Sequence, residues 1–119
     1  MPLTHLHLHV RDRTRAEDFY SAWFAMGLER RGDEITFMTD EGGFLLALME
    51  DSAPAPLPAW FHFGFRLPSL SGVLDLHERM LGSSVPIGRG LFQDESFASF
   101  RCVDPDGYLI EVYWDAAPN

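Results

Sequence analysis

Cysteine is almost missing from this chain: Cys102 is the only one in 119 residues. One thiol excludes an intrachain disulfide and a cysteine-built zinc site. Beside Phe100 and Val103 it is expected to be a buried strand residue. Basic residues are also scarce, with nine Lys and Arg against eighteen Asp and Glu and a net charge of −9. A domain so acidic repels phosphate backbones and anionic lipid, so neither nucleic acid nor a membrane is an expected partner. The N-terminus has no apolar signal core and no run approaches the length of a membrane span, so a cytoplasmic protein is expected. What is present is ordinary for one soluble domain with a sizeable core: 46% hydrophobic and 23% charged residues. Ten Phe, three Trp and three Tyr point to an aromatic interior or an aromatic pocket.

The chain reads as one domain, 1–119, made of two modules, 1–51 and 60–119, around a proline-rich linker, 52–59. The linker's three prolines exclude helix and central strand. In the first module, Thr4 to Val10 alternates His5, His7 and His9 with Leu6, Leu8 and Val10, which is the period of a strand. A helix follows. Thr14 and Glu17 fit a capping box, and Ala16, Phe19, Tyr20, Trp23 and Met26 form its apolar stripe. Gly27 fits the left-handed residue that ends it. Leu28 to Arg30, Glu34 to Thr39 and Phe44 to Met49 are extended, with a turn at Asp40-Glu41-Gly42-Gly43. The second module repeats this order. Trp60 to Leu67 is a strand, Leu70 to Leu81 a helix stopped by Gly82, and Val85 to Ile87 and Phe97 to Val103 are extended. Arg89 to Glu95 reads as a loop, Asp104-Pro105-Asp106-Gly107 as a turn, and Tyr108 to Trp114 as the last strand. The expected fold class is therefore α+β, with two βαβββ modules whose sheets curl around a cleft; internal repetition constrains a fold more than any single motif.

Three features are poor core material. Three histidines on one strand face need hydrogen-bond partners and repel one another when protonated; a cavity, a metal or an exposed edge explains them. His62 lies in Trp-Phe-His-Phe-Gly-Phe-Arg, at the place in the second module that His5 holds in the first. Glu111 sits in the apolar strand Tyr-Leu-Ile-Glu-Val-Tyr-Trp, where an ionised carboxylate needs a cation, a metal or an outlet to solvent. Two imidazoles and one carboxylate on three strands suit zinc, iron(II), nickel or manganese, and leave positions open for water or substrate.

Taken together these residues resemble the glyoxalase / bleomycin resistance / extradiol dioxygenase superfamily, the vicinal oxygen chelate proteins, over essentially the whole chain. The resemblance rests on His5-Leu6-His7-Leu8-His9-Val10 with Asp12, on Phe19-Tyr20 with Gly27-Leu28, on His62-Phe63-Gly64-Phe65, and most specifically on Asp104-Pro105-Asp106-Gly107-Tyr108-Leu109-Ile110-Glu111. It implies that His5, His62 and Glu111 are ligands of a divalent metal. It also exposes a departure. Glyoxalase I takes a fourth ligand, a glutamate, from the fourth strand; aligning the modules at Gly43 and Gly107 puts Ala47 there. Alanine cannot ligate, so the glyoxalase I reaction itself is not expected. The fosfomycin-modifying members share the two-His-one-Glu set, but the tail Asp115 to Asn119 lacks the arginine they would use.

Strand parity nominates His7 as a general acid or base and Arg101 as a clamp on an anionic substrate oxygen. The resemblance implies a metal-dependent enzyme acting on a small oxygen-chelating substrate, by dioxygenase, lyase, isomerase or transferase chemistry, and a homodimer. The alternative is a non-catalytic binding or antibiotic-resistance protein of the bleomycin-resistance type. Metal content discriminates the two.

Overall fold

The computed structural model describes residues 1–116; the last three residues of the tail read above lie outside the described residues. The chain divides into two compact units, Met1–Leu57 and Pro58–Asn119.

In the first unit the elements are β1 (His5–Val10), α1 (Arg13–Phe24), β2 (Gly27–Arg31), β3 (Ile35–Thr39) and β4 (Leu45–Glu50). They form a mixed sheet in the order β1-β4-β3-β2. β1 and β4 run parallel, and the remaining pairs are antiparallel. The period-two pattern does what the sequence expects. Leu8 and Val10 of β1, Thr36 and Met38 of β3, and Leu46 and Leu48 of β4 are buried with Ala16 and Tyr20 of α1, while His5, His7 and His9 are exposed. Burying side chains of this size contributes about 1.5–3 kcal/mol each.

Two details of α1 differ from the expectation. Its N-cap is Asp12, whose carboxylate accepts from the Arg15 N–H at 3.1 Å. Glu17, expected to complete a capping box with Thr14, instead points inward. Its Oε1 accepts from Arg31 at 2.6 Å and its Oε2 from the Thr36 hydroxyl at 2.8 Å. The left-handed residue that ends the helix is Ala25, with φ 54°, two residues before Gly27, and Gly27 begins β2.

The second unit contains β5 (His62–Arg66), α2 (Leu70–Gly82), β6 (Ile87–Gln93), β7 (Phe97–Val103) and β8 (Leu109–Asp115), with sheet order β5-β8-β7-β6. Again the first and last strands of the unit, β5 and β8, pair in parallel at one side of the sheet. Val73, Leu76 and Met80 of α2 are buried together with Ala98, Phe100 and Cys102 of β7 and Ile110 and Val112 of β8. Burial pushes the Cys102 thiol up to about 12, so it is an inert core residue as expected. The segment Arg89 to Gln93 is strand rather than loop. β6 pairs with β7 through irregular register, and its two glycines and bulges break the alternation that would have marked it.

The repeat is visible in the turns. Gly43 and Gly107 both have positive φ, 85° and 94°. Each follows an aspartate whose Oδ1 accepts from the backbone four residues on: Asp40 from Phe44, and Asp104 from Tyr108, both at 2.9 Å. The helices cover one face of each sheet, and the opposite face carries the polar residues singled out above.

Candidate functional site

The second unit assembles most of the expected site on one sheet face. In β5–β8, His62 stands opposite Leu109 and Gly64 opposite Glu111, so His62 and Glu111 are diagonal neighbours. His62 Nε2 lies 3.5 Å from Glu111 Oε1. The other ring nitrogen of His62, Nδ1, is 3.0 Å from the Trp60 carbonyl oxygen. A carbonyl only accepts, so Nδ1 carries a proton and Nε2 faces the carboxylate. Glu111 is oriented from its far side, where the Ser99 hydroxyl donates to Oε2 at 2.6 Å. Arg101 lies opposite Glu111 in β7–β8, and its Nη2 is 3.4 Å from His62 Nε2. The Arg101 Nε is buried without a hydrogen-bond partner.

Such a pair fits a metal on three counts. Two donors held about 2.0–2.1 Å from a tetrahedral ion stand roughly 3.3–3.4 Å apart, close to the 3.5 Å between His62 Nε2 and Glu111 Oε1. The imidazole presents Nε2 while Nδ1–H is fixed by a backbone carbonyl, and the carboxylate is hydrogen-bonded from behind; these are the outer contacts that orient ligands. Finally, two lone-pair-bearing atoms facing each other need positive charge between them, from a proton, a guanidinium or a metal. Among the described residues no group of three His, Cys, Asp or Glu stands close enough to hold an ion; within the second unit the acceptable donors number two.

Glu111 has its position because Gly64 has no side chain. A Cβ on Gly64 would lie 2.9 Å from the Glu111 carbonyl oxygen and 3.3 Å from its Cβ. The first unit inverts this arrangement: β1–β4 sets His7 opposite Ala47. The large polar group is on the first strand in one unit and on the last strand in the other, and its partner is small in both. We expect Gly64→Ala to cost about 1–3 kcal/mol by forced strand separation, more than the 0.4–1 kcal/mol that reduced unfolded-chain entropy returns. Urea denaturation checks this; an unchanged midpoint would show that the sheet absorbs the methyl group.

In the first unit, His5, His7 and His9 share one exposed face of β1 as expected. His5 Nδ1 lies 3.2 Å from the Thr4 hydroxyl. His9 Nδ1 is 2.8 Å from Asp51 Oδ2, and that bond, helped by the Ala53 N–H, holds the Asp51 carboxyl below the usual range. The His7 ring meets that of His9 edge-on at 5.1 Å between centroids and has no carboxylate of its own. Sequence reading missed Ser99 and Asp51. Ser99 was accessible by parity, since it shares a face with Arg101; Asp51 was not, because it lies just past a strand end.

The chain belongs to the Glyoxalase/Bleomycin resistance protein/Dioxygenase superfamily, whose family model matches residues 3–112. Among solved structures it is similar to a possible glyoxalase from Bacillus cereus, with 28% identity and a TM-score of 0.81 over 94% of this chain and 97% of that one. It also shares its fold with a fosfomycin resistance protein from Listeria monocytogenes (19% identity, TM-score 0.82, 98% and 94% covered). A lactoylglutathione lyase from Agrobacterium tumefaciens has the same fold (21% identity, TM-score 0.75, 95% and 92% covered). No curated protein matches the sequence. Among the described residues no helix is long and apolar enough to cross a membrane.

Proposed function

We infer that the protein is a metal-dependent enzyme of this superfamily, acting on a small oxygen-chelating substrate, with His5, His62 and Glu111 as ligands of one divalent ion. The observation that carries the reading is the His62–Glu111 pair: two donors 3.5 Å apart, each oriented from behind by Trp60 or Ser99. When bound, a divalent ion of this kind polarises substrate oxygens and lowers the pKa of bound water. The chain's own residues do the rest. The Ser99 hydroxyl orients the carboxylate, and the Trp60 carbonyl keeps Nε2 of His62 turned toward Glu111. Arg101, with one buried N–H unpaired, is the group to hold an anionic substrate oxygen. His7 is assigned the general acid or base role, as an exposed imidazole with no carboxylate of its own.

His5 belongs to the other unit, and a homodimer gives two ways to bring it to the site, from the same chain or from a second copy. The single cysteine is buried and asks for no oxidising compartment, which supports a cytoplasmic location. Metal analysis of the purified protein tests the reading. One divalent ion per chain, or a rise in melting temperature on adding zinc, nickel, manganese or iron(II), is expected. Neither would leave a metal-free binding protein as the better account. Ser99→Ala should weaken metal retention by about 10–100-fold while leaving the fold unchanged, the usual cost of removing a group that orients a ligand.

A further inference from the structure

One row of the second sheet carries more positive charge than its setting explains. Reading across β6, β7 and β8, Arg89 stands opposite Arg101 and Arg101 opposite Glu111. Like charges directly opposite on neighbouring strands are destabilising. Here two arginines stand in one cross-strand row with a single glutamate, in a chain whose net charge is −9. Glu111 is also engaged with His62 and Ser99, Arg101 keeps a buried Nε without a partner, and Arg89 has no ion-pair partner among the described residues.

This row borders a cavity of about 400 Å³ lined by Arg89, Gly90, Phe92, Phe97, Ser99 and Glu111. Its size is near the lower end for small-molecule sites. One side is aromatic. The rings of Phe92 and Phe97 are 6.3 Å apart and those of Phe97 and Tyr113 6.5 Å apart, and Phe92 is 56% exposed, uncommon for a phenylalanine. The cavity thus sets the Arg89 guanidinium beside an aromatic wall, with Glu111 also in its lining.

We propose that this cavity binds a small arylcarboxylate, its carboxylate on Arg89 with Arg101 behind it, and its ring against Phe92 and Phe97. A carboxylate matches the guanidinium fork and supplies the missing negative charge. The ring suits the apolar wall. A cationic ligand would face Arg89 with Arg101 behind it in the row, and a neutral one would leave the Arg89 guanidinium without a counter-charge. The inference deepens the site reading above, and rests on it for the placing of reactive oxygens near Glu111; the anion contact itself depends on Arg89 and needs no metal.

The test is titration of benzoate, benzamide and benzylamine into the full-length protein, followed by NMR, with zinc present and after chelator treatment. Benzoate should bind about tenfold or more tightly than benzamide, and benzylamine weakest, because a charge-assisted pair is at stake. Arg89→Gln should weaken benzoate by a similar factor and leave benzamide unchanged, while Arg89→Lys falls between. Phe92→Ala should weaken both. Equal binding of benzoate and benzamide, no benzoate binding, or an Arg89→Gln variant that binds benzoate normally would overturn the proposal. Retention of zinc, nickel, manganese or iron(II), measured on the same protein, separates the two readings. Arg89-dependent benzoate binding with none of the four ions retained sinks the metal reading alone, and a retained ion without benzoate selectivity sinks this one alone.

Discussion

Glu111→Ala protein is expected to lose its retained divalent metal, with affinity down by more than about 100-fold. Outer contacts that merely orient a ligand cost 10–100-fold when removed, and Glu111 is assigned direct ligation. The same substitution leaves His62 Nε2 without the carboxylate 3.5 Å away and Arg101 without its cross-strand partner. A ligand that binds only the folded protein at about 100 times its Kd stabilises by about 2.7 kcal/mol. The wild-type protein should therefore melt several degrees higher with metal added, and the variant should not. Glu111→Gln keeps the shape and the Ser99 contact while removing the charge, so it separates loss of ligation from loss of packing. Undiminished metal content in both variants would mean that Glu111 is not a ligand. Mixing His5→Ala with Glu111→Ala protein then reports which chain supplies His5: recovered metal in the mixture requires a shared site, and no recovery places the set within one chain.

Much of this was legible in the sequence because its physical basis is local. The alternation of His5, His7 and His9 with Leu6, Leu8 and Val10 forces opposite faces in any strand. The Asp104 turn carries its own hydrogen bonds to Asp106 and Tyr108. The spacing from Gly107 to Glu111 then fixes which face of β8 the carboxylate takes. What was not legible depended on partners distant in sequence. Glu17 satisfies every local rule for a capping box with Thr14, yet Arg31 and Thr36 offer it a charged donor and a buried hydroxyl, and Asp12 caps the helix instead. β6 escaped because Gly88 and Gly90 interrupt its pattern. A Cβ on Gly88 would come within 2.5 Å of Leu109 Cδ2, so the residue that hides the strand in the sequence is the one that leaves room for the Leu109 side chain of β8. The charge row of Arg89, Arg101 and Glu111 is likewise a product of register across three strands, invisible until pairing is known.

The Glu17 network makes the second large prediction, this time for stability. Glu17 is 8% exposed and Thr36 fully buried. The Arg31 hydrogen bond, the strongest influence, holds the Glu17 carboxyl below its usual value, with Thr36 acting in the same direction and burial opposing both. Glu17→Ala leaves the Thr36 hydroxyl without its acceptor and a gap beneath α1. An unsatisfied buried donor costs about 1–3 kcal/mol and lost side-chain volume adds to it, so a loss of about 2–3 kcal/mol is expected at neutral pH. Arg31 adds little to this figure, since its side chain is 55% exposed and water can solvate the released guanidinium. The pH dependence has a definite sign. A carboxyl whose folded pKa lies below its unfolded value stabilises fully above the unfolded value, and that contribution is lost as pH falls through the folded one. The wild type should therefore exceed Glu17→Gln in stability at neutral pH, and the difference should shrink as the medium is acidified past the ordinary glutamate range. Urea denaturation of both proteins across that range decides it: a difference independent of pH would mean that shape and hydrogen bonding, not the charge of Glu17, hold α1 to β2 and β3.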